Sequence, residues 1–142
     1  MSPLGPAYQA GTLSGNPLGM AAGLATLKIC RALGFYETLL DRASRLAEGL
    51  RAAAAAAGIV AQTGATGGML GLALLDRPVR NFTDAQAADH KMFARFFHAM
   101  LDRGVWLPPS GYEVLFVSAA HGDEEIDKIL DAAAASFRIA AP

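Results

Sequence analysis

Cysteine is almost missing from this chain. Cys30 stands alone among 142 residues, which excludes an internal disulfide framework and fits a reducing compartment, so a cytoplasmic protein is expected. Lysine is nearly as scarce: Lys28, Lys91 and Lys128 are the whole set, and each falls in a stretch that reads as helix. Charged residues make up 18% of the chain and the formal net charge is -1. With no basic stripe, neither nucleic acid nor a membrane surface is an expected partner. The apolar run from Leu18 stops at Cys30, too short to cross a bilayer, and no Lys or Arg precedes it as a signal peptide would require. Catalytic signatures are missing as well. The stretch Gly11–Pro17 has no Walker lysine, and Ser14 is not framed as a G-x-S-x-G elbow. His90, His98 and His121 have no metal-ligand spacing. His90 and His98 read as solvated residues on a helix, and His121 as a residue of the turn that opens the last helix.

What is there is apolar and small. Hydrophobic residues reach 53%, enough for a domain with a real core. One stretch stands out, Gly11-Thr12-Leu13-Ser14-Gly15-Asn16-Pro17. Its glycines allow a tight turn, Thr12 and Ser14 carry hydroxyls, Asn16 suits an N-cap and Pro17 the first helical position. Two readings stay open. The free amides and positive dipole end would attract a phosphate or carboxylate; equally, any loop that enters a helix has this composition.

Past this loop, the pattern predicts a helix from Pro17 to Leu33, thin at Ala21, Ala22, Gly23 and Ala25 and stopped by Gly34. It is apolar all round, which calls for more protein around it. A second helix is predicted over 36–57, with Leu39, Leu40, Ala43, Leu46, Ala47 and Leu50 as its inner stripe. Short apolar runs at 59–61 and 69–75 read as strands joined through Gly64, Gly67 and Gly68. Thr83 and Gln86 form a candidate capping box for a third helix, whose stripe Ala88, Met92, Phe93, Phe96, Phe97, Met100 and Leu101 ends at Gly104. Runs at 105–107 and 114–117 read as strands. A final helix starts near Asp123, with Ile126, Ile129, Leu130, Ala133 and Phe137 facing in. The order implies an α/β fold in which a small, mostly antiparallel sheet carries helices on one face. A boundary near 31–35 separates the first helix from the rest.

Among the remaining candidates, the Gly64–Gly71 cluster reads as a tight strand connection and not a nucleotide loop, because no helix follows at once. A Schiff-base lysine needs burial beside a cofactor, and only Lys28 could be considered. Glu113, after Pro108-Pro109-Ser110-Gly111-Tyr112, is either an exposed turn glutamate or a carboxylate partly buried at a cleft edge.

The wording Tyr8-Gln9-Ala10-Gly11-Thr12-Leu13-Ser14-Gly15-Asn16-Pro17-Leu18, followed by Met20-Ala21-Ala22-Gly23, resembles the glutamate-1-semialdehyde 2,1-aminomutase family. That family lies in the class III branch of the pyridoxal-phosphate (PLP) aminotransferases. The similarity continues through Arg45–Leu50, Gly67-Gly68-Met69, Phe96-Phe97-His98, Gly104-Val105, Pro109-Ser110, Tyr112-Glu113 and Ser118–His121. The resemblance implies the C-terminal small domain of a fold-type I PLP enzyme over 34–142. Residues 1–33 would be the end of the large cofactor-binding domain, a phosphate loop and a linking helix. It implies that Gly11 and Thr12 reach across a homodimer interface to the cofactor phosphate, and that Glu113 lies at the substrate entrance. It also implies that the Schiff-base lysine and the acid facing the pyridine nitrogen belong to sequence before Met1. The chain by itself is then expected to be inactive, with a second subunit or the large domain as its partner. A different class III aminotransferase and a non-catalytic partner-binding module are the alternatives.

Overall fold

The computed structural model describes residues 2–8 and 10–142; Met1 and Gln9, the latter within the stretch that carries the family resemblance, lie outside the described residues. Two compact units are present, Met1–Phe35 and Tyr36–Pro142.

In the first unit, helix α1 spans Pro17–Cys30. Asn16 is its N-cap and Pro17 opens it, as the sequence predicts. It ends three residues before Leu33, in turns closed by Ala32 N–H to Ile29 O (3.0 Å) and Phe35 N–H to Ala32 O (3.2 Å). None of its residues is buried. Leu18, Leu24, Leu27 and Ile29 are all well exposed, so an apolar helix lies open to solvent on every side.

The second unit opens with α2, Phe35–Ala56, which buries Ala43, Leu46, Ala47, Leu50 and Ala54. Gly58 adopts φ 74° and Ile59 N–H reaches back to Ala54 O at 2.9 Å, the Schellman closure that glycine permits. Two strands follow, β1 (Gln62–Thr66) and β2 (Met69–Ala73), joined by Gly67-Gly68, with Gly67 at φ 54°. The first strand is therefore not the apolar run 59–61: Ile59 and Ala61 are buried in the approach, and Gly64 sits inside β1 rather than at the turn. Backbone pairing requires residues opposite a partner strand, and Gln62↔Ala73 through Thr66↔Met69 supply the register.

The third helix is a second correction. Sequence periodicity runs it unbroken from Thr83, but it is two helices, α3 (Phe82–Gln86) and α4 (His90–Leu101). The Thr83–Gln86 capping box does not form. Asn81 caps α3 by accepting from Asp84 N–H (3.0 Å), and Asp89 caps α4 by accepting from Met92 N–H (2.8 Å). Asp89 N–H donates to Leu74 O at 2.9 Å, which fixes the break to the end of β2. Because Asp89 side chain and amide both work outside a helix, Asp89→Ala is expected to lower stability by about 1 kcal/mol. A urea midpoint unchanged by this substitution would argue against the cap.

Trp106 and its neighbours are not a strand. Pro108 and Pro109 bring no N–H for a ladder, and residues 105–107 run as coil with Leu107 buried and Trp106 exposed. The run 114–117 shortens to β3, Leu115–Phe116, on the edge of a three-stranded antiparallel sheet in the order β1-β2-β3. Helix α5, Asp123–Ala140, closes the chain. Its opening turn is held by His121, whose Nδ1 accepts from Ser118 N–H at 3.1 Å, the structural role the sequence suggests.

Register decides which sheet face meets the helices. Opposed residues share a face, so Thr63, Ala65, Leu70, Leu72 and Leu115 lie on one side and Gln62, Gly64, Met69, Gly71, Ala73 and Phe116 on the other. Leu70, Leu72 and Leu115 join the core formed with α2, α4 and α5. At its centre Phe96 and Phe137 stack with ring centroids 4.0 Å apart. The sheet carries α2, α4 and α5 on one face; α3 borders the opposite face, which otherwise stays open.

Candidate functional site

The loop before α1 belongs to the first unit. Ser14 N–H bonds Gly11 O (3.0 Å) and Asn16 N–H bonds Leu13 O (3.2 Å), so the chain closes two successive turns before it enters the helix. A Cβ at Gly11 would come within 2.5 Å of Ser14 Oγ, a contact that rotation of the serine hydroxyl would relieve. Asn16 Oδ1 accepts from Gly19 N–H at 2.9 Å and its Nδ2 donates to Leu13 O at 2.7 Å. This cap changes the anion reading. Asn16 occupies one of the amides that a bare helix start would offer, and Pro17 has none. Among the described residues, the amides of Thr12, Leu13, Gly15 and Leu18 and the Thr12 and Ser14 hydroxyls have no hydrogen-bond partner. The free donors thus cluster on the turn at Gly11–Gly15 more than on the helix end. All these loop residues are exposed. An exposed turn rich in unpaired N–H and O–H donors, with no carboxylate in it, suits a phosphate.

The second unit holds a cleft of about 410 Å³ on the open face of its sheet. Gln62, Gly64, Gly71 and Ala73 form its floor, and Pro78, Tyr112 and Glu113 stand at its walls. Glu113 lies on the turn before β3, where its N–H donates to Ser110 O (3.1 Å) and Tyr112 N–H donates to Ser110 Oγ (3.3 Å). The carboxylate is exposed and has no partner among the described residues. It is an exposed turn glutamate that lines the cleft edge; the partial burial expected of a cleft-edge carboxylate is not observed.

Two features of this cleft and of the packing behind its wall are not readable from local sequence. Its floor comes from small or polar residues on alternate strand positions, which periodicity assigns no role. The other is His90, read from the sequence as a solvated helix residue. It is half-buried, its Nε2 lies 3.0 Å from Ala85 O, and its ring stacks on Tyr112 at 4.3 Å. His98 is exposed. Among the described residues no group of three or more His, Cys, Asp or Glu side chains is placed to hold a metal ion. Also among them, no single helix is long and apolar enough to cross a membrane. Lys28 and Lys91 are exposed, and Lys128 pairs with Glu124 at 2.7 Å; all three are on helices.

Residues 1–135 match the aminotransferase class-III family. The chain belongs to that family. Glutamate-1-semialdehyde 2,1-aminomutase from Desulfosudis oleivorans is 51% identical to this class III chain over 137 residues, 96% of the chain but 32% of the relative. The chain thus spans about a third of the length of the curated relative it matches. Solved structures agree in fold. A β-phenylalanine aminotransferase from Variovorax paradoxus superposes with a TM-score of 0.75 at 27% identity, over 95% of this chain and 31% of that one. The FumI protein of a Sphingopyxis species, solved in a PLP-bound form, gives 0.75 at 25% identity, over 92% and 29%. The α/β class, with its small antiparallel sheet, is that of PLP transaminases.

Proposed function

We propose that this class III chain is the C-terminal third of a PLP-dependent glutamate-1-semialdehyde 2,1-aminomutase, a cytoplasmic enzyme of 5-aminolevulinate and tetrapyrrole formation. The observation that carries this reading is the 51% identity to that aminomutase across 96% of the chain. Another class III aminotransferase would be expected to share the fold at lower identity, as the solved structures do.

In this reading residues 1–33 end the large domain and 34–142 are the small domain. Gly11 and Thr12 hold the cofactor phosphate of a second subunit. The unpaired Thr12 amide and hydroxyl fit that group. PLP, when bound, supplies the electron sink that lets an amino group move between neighbouring carbons. Glu113, free and exposed at the cleft edge, faces the substrate's approach, where it orients a polar group or excludes competing anions. The exposed apolar helix α1 supports a partner for this unit, the large domain or the second subunit, because open apolar surface drives association.

In this reading the proton-moving, cofactor-binding lysine is not one of the three in this chain. Lys28, Lys91 and Lys128 sit on exposed or ion-paired helix positions, whereas a Schiff-base lysine needs a desolvated pocket. Titrating the purified chain with PLP is therefore expected to give no stable lysine-dependent absorbance band. A saturable band abolished by replacing one of these three lysines would overturn the reading.

A further inference from the structure

We propose that His90 is a positioning residue that holds the Tyr112–Glu113 wall of the open-face cleft; this rests on the substrate-facing role given to Glu113 above. His90 is the first residue of α4, directly after the cap that breaks the helix predicted as continuous. Its Nε2 is 3.0 Å from Ala85 O. A carbonyl can only accept, so this nitrogen carries the proton and Nδ1 is left bare in the neutral ring. The hydrogen bond fixes the ring plane against the last turn of α3.

The Tyr112 ring lies on that plane, 4.3 Å between centroids and 29° apart. Phe82, the first residue of α3, tilts against Tyr112 at 5.7 Å and 32°. The three rings form a ladder from α3 through the turn to α4. Backbone follows ring: a Cβ at Gly111 would lie 3.0 Å from His90 Nδ1 and 3.3 Å from Phe93 Cγ, so the turn presses flat against the histidine. A side chain at 111 would crowd both rings.

The turn has little else to hold it. Its two internal hydrogen bonds, Glu113 N–H to Ser110 O and Tyr112 N–H to Ser110 Oγ, set its shape without anchoring it to the fold. Tyr112 and Glu113 are both exposed, and their side chains make no hydrogen bond among the described residues. The anchor is aromatic, and His90 is its half-buried member. The carboxylate that edges the cleft is attached one residue beyond the ring that His90 holds.

Two substitutions divide the functions of the imidazole. His90→Phe keeps a flat ring for Tyr112 and loses the bond to Ala85; His90→Gln keeps a donor for Ala85 and loses the ring. Amide hydrogen exchange on the 142-residue chain gives the first readout. In H90Q the exchange rate at Glu113, taken as a ratio to that of core amides such as Leu50 and Phe137, is expected to rise about tenfold, the scale of one lost ring contact. In H90F it is expected to stay within about twofold. A ratio unchanged in H90Q, with turn and core loosened equally, makes His90 a general packing residue and overturns the proposal. The second readout uses the chain joined to its lysine-bearing domain. H90Q is expected to raise KM about tenfold with kcat held within about twofold, and H90F to rescue KM. Glu113→Gln in the same enzyme separates the two claims. A KM effect from E113Q with none from H90Q overturns the positioning role and leaves the Glu113 reading standing. No effect from either overturns the role of Glu113, and the positioning proposal with it.

Discussion

Replacing Phe137 by alanine is expected to remove about 3–5 kcal/mol of folding stability, the range for truncating a fully buried phenylalanine. Phe137 on α5 and Phe96 on α4 are both 0% exposed and stack at 4.0 Å with 15° between planes. The same core includes Ile126 and Met100, at 0% exposure, and Leu50, at 1%. These side chains hang from three helices, so they can close only partly on the space left behind. A unit of this size has about 5–15 kcal/mol in total, and the loss takes a large share of it. Urea unfolding followed by far-UV circular dichroism measures it. Trp106→Ala is the comparison: its side chain is larger, but it is 82% exposed, and its loss should stay within about 0.5 kcal/mol. Equal effects from the two substitutions would mean that the core does not lie where the structure puts it.

Gly68→Ala is expected to cost about 1–3 kcal/mol or more, through overpacking against backbone that has no room to yield. A Cβ at this position would come within 2.8 Å of Val117 O and 2.9 Å of Leu39 Cδ2. Leu39 can turn away, but the Val117 oxygen belongs to the strand-end segment whose own N–H bonds Gly68 O at 2.7 Å. The turn between β1 and β2 therefore touches α2 and the end of β3 at one residue, and a methyl there pushes on both. Gly64→Ala supplies the contrast, because a Cβ there would meet nothing within 4 Å. Differential scanning calorimetry of the two variants should show a lowered midpoint for Gly68→Ala alone. A native-like midpoint for Gly68→Ala would contradict the close approach of turn and strand.

The helices were legible because their inner stripes and glycine stops are local. Ala43, Leu46, Ala47 and Leu50 on α2, and Ile126, Ala133 and Phe137 on α5, are buried as periodicity predicts. Gly58 and Gly104 end their helices with positive φ. Strand limits were not legible. Gln62 and Thr63 lie in β1 because β2 passes opposite, and their composition carries no trace of that pairing. The break at 87–89 was hidden for a similar reason, since the amide of Asp89 is claimed by Leu74, fifteen positions earlier in the chain. At the loop, Asn16 and Pro17 announced the cap, while the satisfaction of Gly19 N–H by Asn16 needed geometry. Glu113 could be singled out from its flanking prolines and serine. The ladder through Phe82, Tyr112 and His90 joins residues of three segments, and no local pattern contains it.

The solvent-exposed state of α1 has a thermodynamic consequence. At 14 residues with no buried side chain, it is near the length at which an isolated helix is marginal in water. Whatever covers it therefore stabilises it by mass action, in proportion to RT ln(1 + [L]/Kd). In the proposed reading, its helical order then depends on the concentration of the partner that covers it. The loop at Gly11–Gly15 is joined directly to the first turn of that helix. If, as proposed, a second subunit or the large domain brings the cofactor phosphate, the shape of the turn that offers its amides is coupled to that assembly.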